Sequence, residues 1–116
     1  MEMAKKYLKS KLTPQQKEFS RKVLNTIGAH LYSGNLSMLG TVYGTDKGDK
    51  YHSFKGLSYL DIYEKYFKAF RQKPINLLEI GVHKGNSLRM FKRYFPKANI
   101  FGIDIDPQAK QYEESR

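Results

Sequence analysis

Two acids and two glycines carry the clearest chemistry in this chain. Glu79, Gly81 and Gly85 lie within LLEIGVHKGNSLRMF, and Asp104 follows in ANIFGIDIDP. Glycines in such a turn reach backbone conformations closed to other residues and let a ligand approach the main chain. A helix opening at Asn86 or Ser87, either of which can cap it, would aim free N–H groups at the same place. Asp104 ends the next apolar run, where a carboxylate can accept hydrogen bonds from two ribose hydroxyls. Glu79 sets the sign of the ligand: a carboxylate there repels a pyrophosphate and suits a cationic amine or sulfonium.

Spacing separates the nucleotide readings. A dinucleotide fingerprint needs G-x-G-x-x-G, whereas GVHKGN has glycines four apart with His83 in the middle position. A Walker loop needs G-x-x-x-x-G-K followed by a hydroxyl residue, and GTDKGDK at Gly44–Lys50 has neither the spacing nor the hydroxyl. What remains is E-x-G-x-x-x-G, a helix, and an acid at the end of the next strand. His83, a lone turn histidine, reads as solvent-facing rather than as a general base.

The elements that must hold these residues are legible as a strand, a helix and a second strand. Ile75 to Ile80 is interrupted only by Asn76 and Glu79 and suits a central parallel strand covered on both faces. Leu88, Phe91 and Phe95 give the following helix its inward face, Pro96 closes it, and Ile100 to Ile103 rise as the next strand. A right-handed unit of this kind presents its ligand edge at the strand C-termini.

Upstream, residues 1–73 read as helical with one loop. Thr13, Pro14 and Gln16 form a helix start, and Phe19, Val23, Leu24, Ile27 and Leu31 then define one buried stripe. Asn35 caps a short helix through Leu36, Met38, Leu39 and Val42. Ser58 and Asp61 cap another, whose Tyr59, Ile62, Tyr63, Tyr66, Phe67 and Phe70 recur on one face and read as packing. Between the last two helices lies the polar loop GTDKGDK.

Composition bounds the rest. At 116 residues, 40% hydrophobic and 14% aromatic, the chain supports one domain with a modest core. It has no cysteine, which excludes disulfides and Cys-based zinc sites, and its three histidines are scattered. Neither a signal peptide nor a membrane span is expected, so the expected compartment is cytoplasmic. The net charge of +10 invites a nucleic-acid reading, but residues 1–55 carry ten basic and four acidic side chains and residues 56–116 carry eleven and seven. An excess spread so evenly argues for a solvated surface and against a nucleic-acid footprint.

Together these residues resemble the class I S-adenosylmethionine-dependent methyltransferases. LEIGVHKGNSLRMF, YFPKANIFGIDIDP and YGTDKGDKYH are most similar to the bacterial group of sugar and macrolide O-methyltransferases and cephalosporin-hydroxylase-like proteins. The resemblance implies an α/β, incomplete Rossmann-like methyltransferase fold. Residues 1–73 would form a helical part with a cofactor-covering loop, and residues 74–116 the opening of the Rossmann-like domain. It implies that Glu79, Gly81, Gly85 and the turn between them, His83 included, line the methionine portion of the cofactor, and that Asn86 and Ser87 are also cofactor-binding. By the same resemblance Asp104 holds the ribose, Ile105 lies against the adenine, and Asp46, Lys47 and His52 touch cofactor or acceptor. His83 is a departure, since the wider superfamily has glycine there.

The implied activity is methyl transfer to a sugar hydroxyl in polysaccharide or glycosylated natural-product synthesis. The general base and any Mg2+-binding acids are expected beyond the fourth strand, in residues this chain lacks, so the 116 residues are expected to be an inactive N-terminal part. Two strands alone leave an unpaired edge and an open apolar face, which predicts marginal stability or self-association. The competing class is a non-enzymatic basic helical module for binding or oligomerisation.

Overall fold

The computed structural model describes residues 10–48 and 53–114. Helix α1 (Pro14–Leu31) opens on the expected capping box: Thr13 Oγ1 accepts from the Gln16 N–H at 3.2 Å, and Gln16 Oε1 accepts from the Thr13 N–H at 2.9 Å. Helix α2 (Leu36–Tyr43) is capped by Asn35 and closed by Gly44 in the left-handed conformation. A 3-10 turn, Asp46–Gly48, follows where the sequence reads as loop. Strands β1 (Ser53–Phe54) and β2 (Leu57–Ser58) then pair antiparallel. Lys55 and Gly56 between them both have positive φ, as a two-residue hairpin turn requires.

Helix α3 (Tyr59–Phe67) starts on the Ser58–Asp61 capping box. Strand β3 (Asn76–Ile80), helix α4 (Asn86–Tyr94) and strand β4 (Asn99–Ile103) complete the predicted unit, with β3 and β4 parallel from Asn76 opposite Asn99 to Ile80 opposite Ile103. A 3-10 segment, Pro107–Tyr112, follows Asp106. The result is a helix-rich α/β arrangement with a small parallel sheet.

The core draws on both parts of the sequence. Leu36 and Leu39 of α2, Leu60 of α3, and Met90, Tyr94 and Phe95 at α4 are fully buried. Phe67, Phe91 and Phe95 interlock, with ring centroids 5.5 to 6.4 Å apart, in one edge-on and two tilted pairs. Gly40 lets α2 approach α3, because a Cβ there would collide with Leu60. Arg93 ties α1 to this core, donating from Nε to the Ala29 carbonyl at 3.0 Å.

Three expectations change. Phe19, Val23, Leu24, Ile27 and Leu31 do not form a buried stripe; they are 40 to 69% exposed. Helix α1 meets α2 instead through its small-residue face, where a Cβ on Gly28 would sit 3.0 Å from Val42 and where Ala29 is buried. Strand β3 is not covered on both faces: Leu78 and Ile80, with Phe101 and Ile103 opposite them, are each more than half exposed among the described residues. In the aromatic stripe of α3, Tyr63 and Phe67 pack on the core, while Tyr59, Tyr66 and Phe70 face outward. That helix ends at Phe67, and the 3-10 turn Lys68–Phe70 rotates Phe70 off the stripe.

Candidate functional site

The loop between β3 and α4 brings most of the predicted site residues together. Gly81 has φ +85° and Gly85 has φ +72°, both in the region that favours glycine. A Cβ on Gly81 would meet nothing within 4 Å, so the space above the turn is open. His83 has φ +51°, so the histidine holds the left-handed conformation that a glycine takes easily. The turn at His83 therefore follows a path that glycine takes easily, and the residue is exposed.

Asp104 fastens this turn to the end of β4. Its Oδ2 accepts from the His83 N–H at 2.8 Å, and its Oδ1 accepts from the Asp106 N–H at 2.9 Å. The His83 N–H, and after it the Asp106 N–H, hold the Asp104 carboxyl below the usual carboxylate range. Each oxygen keeps a further lone pair, so the carboxylate can position the turn and still accept from a ligand. Ile105, beside it, is 100% exposed.

Glu79 is placed differently from a free recognition group. It is 9% exposed at the end of β3; its Oε2 accepts from the Ser87 hydroxyl at 2.7 Å, and its Oε1 lies 2.8 Å from Lys47 Nζ. The second contact is an ion pair rather than a directed hydrogen bond, and Oε1 accepts no hydrogen bond among the described residues. Lys47 thus joins the GTDKGDK loop to the glycine turn across 32 residues of sequence. Asn86 makes a second tie, donating from Nδ2 to the Gly44 carbonyl at 3.1 Å.

These bonds revise the expected start of α4. Neither Asn86 nor Ser87 caps it; Gly85 occupies that position and contributes no side-chain bond. Asn86 and Ser87 are instead spent on Gly44 and Glu79, which leaves the first-turn N–H groups of α4 without a side-chain cap. Asp46 is exposed and apart from this network, and His52 lies outside the described residues.

A cleft of about 790 Å³ runs beside β4, lined among others by Val82, Gly85, Leu88, Gly102, Asp104 and Tyr112. Its size suits a small-molecule ligand. Gly85 and Asp104 border it, whereas Glu79, Gly81 and His83 do not. Gly102 is a site residue the sequence reading passed over. A Cβ there would strike Val82 and come within 2.7 Å of Leu88 Cδ1, so only glycine lets the turn and α4 settle on the strand. A glycine inside an apolar strand is the signal that marks such close approach. Among the described residues no three His, Asp or Glu side chains form a metal-binding group, and no helix is long and apolar enough to cross a membrane.

With this geometry in place, comparison with known proteins gives a consistent result. The chain is 34% identical over 82 residues to 8-demethyl-8-(2-methoxy-alpha-L-rhamnosyl)-tetracenomycin-C 3'-O-methyltransferase of Streptomyces olivaceus, covering 65% of this chain and 20% of that protein. It is 36% identical over 77 residues to L-olivosyl-oleandolide 3-O-methyltransferase of Streptomyces antibioticus, covering 60% and 19%. It is 31% identical over 87 residues to demethylmacrocin O-methyltransferase of Streptomyces fradiae, covering 69% and 21%. The chain therefore spans about one fifth of the length of the curated relatives it matches. No family model matches the chain, and no solved structure matches it.

Proposed function

We propose that this chain is the donor-binding part of an S-adenosylmethionine-dependent O-methyltransferase with a Rossmann-like sheet, acting on a hydroxyl of a sugar-bearing small molecule. The names of the similar proteins, all O-methyltransferases and two of them named for a rhamnosyl- or olivosyl-bearing compound, support this over the basic binding module. The observation that carries it is the link from the glycine turn through the His83 N–H to Asp104. That link fixes an open backbone turn beside a carboxylate with acceptors to spare.

The residues present fit such a donor. The space above Gly81 and the uncapped first turn of α4 would receive the methionine portion, with His83, Asn86 and Ser87 shaping the turn. Asp104 would accept from the ribose hydroxyls, and the exposed Ile105 would lie on the adenine. The bound cofactor supplies an electrophilic methyl group on sulfur, which leaves to an acceptor oxygen by in-line displacement. The chain's own contribution is to bind and orient that donor. Removal of the acceptor proton, and Mg2+ if the reaction uses it, is assigned to residues outside these 116. Residues 1–73 would serve as a helical cover over the donor, with Asp46, Lys47 and His52 on the loop facing cofactor or acceptor. In this reading the protein is cytoplasmic.

Calorimetry with S-adenosylhomocysteine tests the proposal. Weak, saturable binding by the chain, lost in Asp104→Ala, is expected. Equal affinity in that variant, or no binding at all, would overturn it.

A further inference from the structure

A second cleft, of about 720 Å³, opens between α1, α2 and α4, and among the described residues its lining holds three arginines and no acid. Arg21 comes from α1, while Arg89 and Arg93 stand one turn apart on α4, where like charges repel. Such a gathering of cations carries an electrostatic cost that an anion among them would remove. Two acids approach from outside the lining, and each is engaged with a lysine. Glu18, whose carboxylate feels Arg21, pairs with Lys22 at 3.0 Å. Glu114 stands 3.8 Å from Arg89 Nη1 and pairs with Lys92 at 3.2 Å.

Two of the three guanidinium groups are held in place with donors to spare. Arg93 donates from Nε to the Ala29 carbonyl at 3.0 Å, and its Nη2 lies 3.0 Å from His30 Nδ1. Arginine only donates, so Nδ1 accepts and the ring N–H sits on Nε2, a further donor at the cleft. Arg89 donates from Nη2 to the Lys84 carbonyl at 2.9 Å and to Asn86 Oδ1 at 2.6 Å. Among the described residues Arg93 Nη1 and Arg89 Nε make no hydrogen bond, and the Arg21 side chain makes none. Ile27, Leu31 and Val42 line the same cleft. The cations therefore face a space that also has an apolar wall.

Planar guanidinium forks match the paired oxygens of carboxylate and phosphate groups. A lone carboxylate would fill one fork and leave the other cations facing each other. Two linked phosphoryl groups offer charge and acceptors to all three. The volume lies in the range of small-molecule sites and leaves room for a ligand body beside the apolar wall. A nucleic-acid backbone follows an extended basic stripe, whereas the basic residues of this chain are spread along its length. We propose that the cleft between α1, α2 and α4 binds a diphosphate-bearing small molecule, with Arg21, Arg89 and Arg93 holding the diphosphate. Ile27, Leu31 and Val42 lie against the body of that ligand. This site does not depend on the donor-binding reading above.

Calorimetry on the full chain with inorganic pyrophosphate, UDP-glucose and a short single-stranded DNA tests this. Saturable one-to-one binding of pyrophosphate is expected, with UDP-glucose bound at least as tightly. Arg89 also borders the cleft beside β4, so Arg21, which borders only the second cleft and is exposed, is the residue to change. Arg21→Met should keep the fold and weaken both ligands by about tenfold, the size of one charge-assisted hydrogen bond. Lys65→Met, which removes an exposed charge outside the cleft, should leave both within about twofold. No saturable binding of pyrophosphate, or unchanged affinity in Arg21→Met, would overturn the proposal. Equal losses in the two variants would show attraction to net charge alone, and tighter binding of the DNA than of UDP-glucose would show a nucleic-acid surface; either outcome rejects it. Binding of pyrophosphate without UDP-glucose would show an adventitious ion only and rejects it as well.

Discussion

Replacing Ser87 by alanine removes one hydrogen and oxygen from the interior and isolates one carboxylate oxygen. Ser87 is 5% exposed and Glu79 9%, and their hydrogen bond of 2.7 Å is short, as expected of a hydroxyl on an ionised acceptor. A hydrogen bond to a charged group contributes about 1.5–3 kcal/mol, and removing the donor leaves the acceptor buried without a replacement. Alanine recovers about 0.5 kcal/mol through its higher helix propensity. The net loss is then about 1–2.5 kcal/mol. With a urea slope of about 1.5 kcal/mol per molar, the unfolding midpoint should fall by roughly 1 M. Urea titration followed by circular dichroism measures this. A double-mutant cycle with Glu79→Ala, which removes the acceptor, isolates the pair, and its coupling should exceed about 1 kcal/mol. A Ser87→Ala loss below about 0.5 kcal/mol, or a cycle that closes to zero, would refute the claim that this bond anchors Glu79.

Three further outcomes are expected. Because backbone N–H groups depress the Asp104 carboxyl, its contribution to stability is complete above the ordinary carboxylate value and disappears as pH falls through the lower folded value. Asp104→Asn should therefore lower stability at neutral pH and flatten the acid limb below about pH 4, read from pH-dependent urea midpoints. Gly85→Ala forces a side chain into φ +72° and sets its Cβ 3.2 Å from Arg89 Nη1, so it should cost about 1–2 kcal/mol in the same titration. Leu60→Ala empties a fully buried site against Gly40 and should cost about 2–5 kcal/mol, with loss of the cooperative transition if the chain is marginal.

The features legible in the sequence were those set locally. Thr13 with Gln16, Asn35 and Ser58 with Asp61 each cap the helix their spacing implies, because capping is decided within four residues. The parallel pairing of β3 with β4 was legible from two apolar runs separated by one helix. The reading failed where a residue's role depends on distant partners. The stripe on α1 has the spacing of a buried face, yet α2 packs on Gly28 and Ala29, and periodicity says nothing about which neighbour arrives. Asn86 and Ser87 look like helix caps until Gly44 and Glu79 claim their side chains. Glu79 reads as suited to a cationic ligand, but no local pattern reveals that Lys47, 32 residues earlier, already lies beside it.

Amide spectra of the 15N-labelled chain, titrated with S-adenosylhomocysteine, test the central claim most directly. Saturable shifts at Gly81, His83, Gly85, Asn86, Asp104 and Ile105, with a single affinity, are predicted. Shifts confined to other residues, or an unchanged spectrum at saturating ligand, would contradict the assignment of this turn and carboxylate to the methyl donor.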